Sequence, residues 1–132
     1  MNFRRLALIA LPAALTIGTL GAALPAHAAT PTAVVVNGHC SKTSLDNLQL
    51  QREDTGQISV DFGVDMARHT AGVTWHVRET RNGVVFVNRY PRTGADGSFS
   101  ISSLLAPQPT NHIVAKAYNP ATGELCTISA TL

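Results

Sequence analysis

The chain is poor in charge. Asp, Glu, Lys and Arg make up 14 % of its 132 residues, and once Arg4 and Arg5 leave with the export signal described below, the basic and acidic side chains balance. A domain with no basic excess lacks the electrostatic footprint of a nucleic-acid binder. Catalytic signatures are missing as well. There is no C-x-x-C pair, no G-x-S-x-G elbow and no glycine-rich phosphate loop. Aromatic rings are few, at 5 %, with Trp75 the single tryptophan, and beyond the N-terminal signal no segment sustains a helical period of apolar residues.

The N-terminus is built as a secretion signal. Arg4 and Arg5 supply a positive start, Leu6 to Leu24 an uncharged apolar stretch, and Ala26-His27-Ala28 a small-x-small cleavage site. Pro12, Thr16, Gly18, Thr19, Gly21 and Pro25 interrupt the apolar stretch, which argues against a permanent span. No cysteine stands at the cleavage point to carry a lipid, and Arg4-Arg5 is a poor match to a twin-arginine address. The expectation is therefore a signal peptide over residues 1–28, cleavage before Ala29, and one secreted, extracellular domain over residues 29–132 with no stable membrane anchor.

Cys40 and Cys126 bracket most of that domain. An even pair in an exported chain reads first as a disulfide. Closing a loop of 86 residues would stabilise the fold by about 4.6 kcal/mol on the chain-entropy argument. A metal-binding or nucleophilic thiolate needs neighbours, and the nearest is His39 alone.

The rest alternates with period 2. Ala33 to Val36 is a short β-branched run that Asn37-Gly38 is expected to stop. Leu48 and Leu50 alternate with Gln49 and Gln51. Ile58, Val60, Phe62 and Val64 share one face of a strand, opposite Ser59, Asp61, Gly63 and Asp65. Val73, Trp75 and Val77 form a second inward row, which puts Trp75 in the core. A hairpin follows around Asn82-Gly83. A two-residue turn would set Val77 opposite Asn88 and mix faces, so a three-residue loop setting Val77 opposite Val87 is expected. Phe99 and Ile101 alternate with Ser98, Ser100 and Ser102. Pro107 and Pro109 make Leu104 to Thr110 a crossing loop. Ile113, Ala115 and Ala117, then Cys126, Ile128, Ala130 and Leu132, are the last inward rows.

Seven to eight short strands with a tryptophan on a middle one predict an all-β, immunoglobulin-like sandwich of two antiparallel sheets. The Gly56-x-Ile58-x-Val60-x-Phe62-x-Val64-Asp65 strand, Ala71-Gly72-x-Thr74-Trp75-x-Val77, Asn82-Gly83, Gly97-Ser98-Phe99-x-Ile101, Ile113-x-Ala115-x-Ala117 and Thr122-Gly123-Glu124-x-Cys126, with Cys40, resemble small secreted immunoglobulin-like proteins of actinobacteria. The resemblance spans nearly all of the mature chain. It implies fold and location, and it carries over no catalytic or binding residue.

Functional candidates are surface features. His69 and His76 with Asp65 have no diagnostic metal spacing and read as ordinary exposed groups, so no metal or cofactor is expected. Asp61 and Asp65 lie too far apart along a strand to share a proton. Arg78, Arg81, Arg89 and Arg92 collect around the central hairpin with Arg68 in the preceding loop, while Asp46, Glu53, Asp54, Asp61 and Asp65 belong to earlier strands. The leading expectation is a non-enzymatic interaction or structural module that meets an extracellular protein or cell-surface glycan. The alternative is an inhibitor of an extracellular hydrolase. It would act through an exposed loop, either Asp65 to Gly72 anchored by Met66 and Arg68, or Leu104 to Thr110 stiffened by its prolines.

Overall fold

The computed structural model describes Ala23 and residues 32–132, so the expected signal and its cleavage site lie outside the described residues. Eight strands follow in chain order: β1 (Ala33–His39), β2 (Leu45–Arg52), β3 (Ile58–Asp65), β4 (His76–Arg81), β5 (Val84–Arg89), β6 (Ser98–Leu105), β7 (His112–Asn119) and β8 (Glu124–Thr131). They form two four-stranded antiparallel sheets in the orders β1-β2-β3-β6 and β5-β4-β7-β8. The chain crosses between sheets after β3, after β5 and after β6.

Strand alternation sets the core. Leu48 and Leu50 of β2, Ile58, Val60, Phe62 and Val64 of β3, and Phe99 and Ile101 of β6 line one inner face. Val77, Ile113, Ala115, Ala117, Cys126 and Ile128 line the other. Trp75 fills the space between the sheets. It is fully buried, and its ring packs on Phe99 at 5.9 Å, which in turn meets Phe62 edge-on at 6.4 Å.

One side of the sandwich is closed. The disulfide joins Cys40, in the turn between β1 and β2, to Cys126 in β8, and β8 lies beside β1 and β2. The bond implies an oxidising compartment. Around it, Ser41 N–H donates to Leu125 C=O at 2.7 Å and Leu125 N–H to Ser41 Oγ at 2.8 Å. Among the described residues the opposite side, between β5 and β6, has no such seam.

Three local expectations are corrected. Leu104 and Leu105 are not part of the crossing loop expected over Leu104 to Thr110: they belong to β6, paired with Ser59 and Ile58, and the loop begins at Ala106. Asn37-Gly38 does not stop β1, which runs on to His39 opposite Leu45, so Cys40 follows a full strand. The reason is steric. Asp46 Oδ1 occupies the space that a Cβ at residue 38 would fill, so glycine is what lets β1 stay in register there. The hairpin register also differs. Asn82 and Gly83 both have positive φ, 50° and 84°, and close a two-residue turn with Arg81 opposite Val84. A bulge between Glu79 and Thr80 then restores the faces, setting Glu79 opposite Val87 and Val77 opposite Arg89.

Candidate binding face on the β5-β4-β7-β8 sheet

The outward rows of this sheet read directly from its register. His76 of β4 lies opposite Tyr118 of β7, which lies opposite Leu125 of β8. In the next row Arg78 lies opposite Lys116, with Asn88 of β5 on its other side. Thr80 then lies opposite Val114. The His76 ring stacks on Tyr90 at 4.6 Å and 9°, and its Nε2 meets Asn88 Oδ1 at 2.7 Å. Tyr90, Tyr118 and Leu125 are exposed, so the aromatic end of the face is open to solvent.

Arg78 and Lys116 are like charges on directly opposed residues of neighbouring strands. Such a pair repels at a separation of about 5 Å between Cβ atoms. Among the described residues no carboxylate forms an ion pair with either. The two acidic residues of this sheet, Glu79 and Glu124, both turn inward and are buried.

The other outer face has the opposite sign. Asp61 and Asp65 stand on it among Ser59, Ser100, Ser102 and Asn47, and Ser102 Oγ donates to Asp61 Oδ1. A shallow hollow of about 510 Å³ opens there over Gly63, lined by Asn37, His39, Leu45, Asn47 and Asp65. Asn47 Oδ1 occupies the space that a Cβ at residue 63 would need.

The arginines singled out from the sequence are dispersed. Arg78 belongs to the face just described. Arg89 lies opposite Val77 and so shares the inner-face parity at the sheet edge, where it reaches solvent. Arg81 is half-buried and donates from Nη2 to Ala106 C=O at 2.6 Å. Arg92 spends its guanidinium on Gly72 C=O, at 3.3 Å from Nε and 3.0 Å from Nη2. Arg68 is exposed in the β3–β4 loop beside Lys42, across a hollow of about 240 Å³.

The β3–β4 loop is not a free arm. Met66 is buried at its base, its N–H donates to Gly97 C=O, and Thr93 Oγ1 donates to Thr70 C=O at 2.6 Å. Met66 therefore cannot serve as an inhibitor's exposed anchor, because the core already holds it. The segment 106–110 is different. Its residues are exposed, while Arg81 holds Ala106 and Asn82 Nδ2 donates to Gln108 Oε1 at 3.0 Å and Thr110 C=O at 2.9 Å.

Three buried carboxylates escaped the reading from sequence. Asp46 was grouped with the surface acids, but it points inward beside the disulfide with neither oxygen hydrogen-bonded. Burial raises its pKa, against weaker lowering by its own backbone and by His39. Cys40, Asp46 and Cys126 form the one cluster of metal-ligand types among the described residues, and the disulfide consumes both sulfurs. Glu79 is fully buried and also without a hydrogen-bond partner. Desolvation pushes it up to about 7, opposed by Arg89 and reinforced by Asp61. Glu124 is the satisfied member, bonded to Ser44. The signal for all three was parity: each continues an inward row, with Leu48 and Leu50, with Trp75 and Val77, and with Cys126 and Ile128.

No family model, no curated protein and no solved structure matches the chain. The resemblance drawn from its landmark residues therefore identifies no family. What is shown is a small all-β sandwich of two sheets with a disulfide.

Proposed function

We propose that this is an exported, non-enzymatic binding module whose β5-β4-β7-β8 face takes an anionic cell-surface glycan. The opposition of Arg78 and Lys116 carries the reading. Two uncompensated cations on neighbouring strands are a standing cost that a bound carboxylate or phosphate relieves, and Tyr118 with the stacked His76–Tyr90 pair offers flat apolar surface beside them for a sugar ring. The signal-like N-terminus and the disulfide support work outside the cell.

The strand order supports the finer, immunoglobulin-like assignment. With β2, β3 and β6 as strands A, B and E, and β5, β4, β7 and β8 as C′, C, F and G, the crossings follow that fold's connectivity, with strand D missing and β1 added at the edge. Trp75 then stands immediately before strand C. The disulfide joins the β1–β2 turn to strand G, away from the usual B–F position.

Binding of exported protein to an anionic polysaccharide and to a neutral one of equal length, at low and high salt, tests the proposal. The expected result is retention by the anionic polymer alone, lost with salt and weakened by Arg78→Ala and Lys116→Ala, with Arg92→Ala unchanged. Equal binding to both polymers, or binding indifferent to the two substitutions, would overturn it.

A second reading keeps the inhibitor alternative at the 106–110 segment. Its favouring observation is that Arg81 and Asn82 clamp an exposed, doubly proline-containing loop, which lowers the entropy lost when such a loop enters a cleft. Inhibition of a secreted hydrolase that vanishes with Pro107→Gly and survives Arg78→Ala would favour this reading over the first.

A further inference from the structure

The open side of the sandwich ends in β6, and this strand has none of the devices that usually guard an edge. It pairs with β3 along its whole length without a bulge, and Ser98 to Leu105 contains no charge and no proline. The facing edge, β5, is bulged and carries Arg89, whereas β1 and β8 are drawn together by the disulfide seam.

The backbone groups left over on β6 are identifiable. Met66 N–H donates to Gly97 C=O at 3.1 Å, which fixes the parity of the ladder: Phe99, Ile101, Ser103 and Leu105 turn their N–H and C=O groups toward β3, and Ser98, Ser100, Ser102 and Leu104 turn theirs outward. Ser98 is already used, since its N–H donates to Asp96 Oδ1 at 3.0 Å and its C=O accepts from Gly94 N–H at 2.9 Å. At the far end Ala106 C=O is held by Arg81. Between these stops, Ser100, Ser102 and Leu104 have no backbone partner among the described residues, and all three side chains are exposed.

We propose that the occupant is a second copy of this chain, its β6 laid antiparallel against the first about a two-fold axis at Ser102. This register follows from the leftover groups. Ser102 faces the second copy's Ser102, and Ser100 and Leu104 face each other reciprocally, so each free N–H and C=O finds a partner and pairing stops where Ser98 and Ala106 are occupied. It preserves the faces: Phe99 meets Leu105 and Ile101 meets Ser103 on the inner side, covering a half-buried Leu105, while Leu104, 58 % exposed, lies over Ser100. No like charges are forced together within the joined sheet. Its nearest, Asp61 in each copy, stand three strand spacings apart, roughly 14 Å, beyond the screening length of about 8 Å in physiological salt. A peptide of different sequence would find the same backbone groups but not this reciprocal fit of Leu104 and Leu105.

The two-fold is perpendicular to the joined sheet, so both β5-β4-β7-β8 faces look the same way. If the glycan proposal above holds, the dimer is bivalent toward a polymer. The pairing itself does not depend on that reading.

Sedimentation velocity of the exported protein from micromolar to millimolar concentration, with residue-resolved amide exchange, tests the pairing. The expected result is a reversible dimer in which the amides of Ser100, Ser102 and Leu104 exchange slowly and speed up on dilution. Leu104→Lys should weaken the dimer at least about tenfold while leaving the near-ultraviolet spectrum of the monomer unchanged. The wild-type exchange pattern stands by itself if that variant does not fold. A monomer throughout, or a dimer in which these three amides stay as fast as in the dilute protein, would overturn the proposal.

Discussion

Glu124 grips Ser44 with both carboxylate oxygens, Oε1 accepting from the backbone N–H at 2.8 Å and Oε2 from the hydroxyl at 2.9 Å. The two residues are 80 apart in sequence and both are buried, so this contact, with the neighbouring disulfide, fixes the β1–β2 turn to the start of β8. Glu124→Ala leaves a buried N–H and hydroxyl unpaired, and the expected cost is about 2 to 4 kcal/mol by urea denaturation. In a Cys126→Ala background the cost should be smaller, because a turn released from the disulfide can reach water. Strict additivity in that double-mutant cycle would show that the two contacts do not share the turn.

The disulfide itself should contribute more than any hydrogen bond near it. Bridging 86 residues constrains the unfolded chain by about 4 to 5 kcal/mol, comparable to the net stability of many small domains. Intact mass before and after reduction should differ by two hydrogens, and the reduced protein should unfold at markedly lower urea. Free thiols in the native protein would contradict the structure.

Stability should fall as pH rises through the range set by Glu79. Its folded pKa is about 7 against an unfolded value near 4.5, so between these values the folded state holds the extra proton. The contribution is fully present below about 4.5 and lost above about 7, a change of about 3 kcal/mol. Asp46, also raised by burial, acts in the same direction. Asp96, held low by the Ser98 hydroxyl and N–H, acts oppositely and at more acid pH. Glu79→Gln should flatten the dependence and be more stable than wild type at pH 8. Parallel stability curves for the two proteins across this range would refute the assignment.

Period-2 alternation made most of this fold legible, because a sandwich strand is apolar on one face by physical necessity. The rows of Phe62, Trp75, Ile113 and Ile128 all face inward as the alternation requires. Asp46 and Glu79 were not legible in the same way. Their charge argues for solvent, since carboxylates are rarely buried without a partner, whereas their parity places them inside. Parity prevailed because turning one residue outward would flip its whole strand. The opposition of Arg78 and Lys116 was hidden for a different reason. It depends on which strands neighbour one another, and β4 pairs with β7 across a long stretch of intervening sequence.

The hairpin tip joins local sequence to a distant loop. Asn82 adopts φ of 50°, donates from Nδ2 to Gln108 Oε1 and Thr110 C=O, and accepts from His112 N–H at Oδ1 at 2.9 Å. Asparagine suits the site twice, since it tolerates the left-handed region and offers both a donor and an acceptor. Asn82→Ala removes these bonds and adds backbone strain, so a loss of about 2 to 3 kcal/mol is expected. Asn82→Gly relieves the strain but not the lost bonds, and should recover only part of it. Both variants should free the 106–110 segment, seen as faster proteolytic cleavage there while β7 and β8 remain protected. Cleavage at the wild-type rate in a destabilised Asn82→Ala protein would mean that Arg81 and the prolines hold the loop without Asn82.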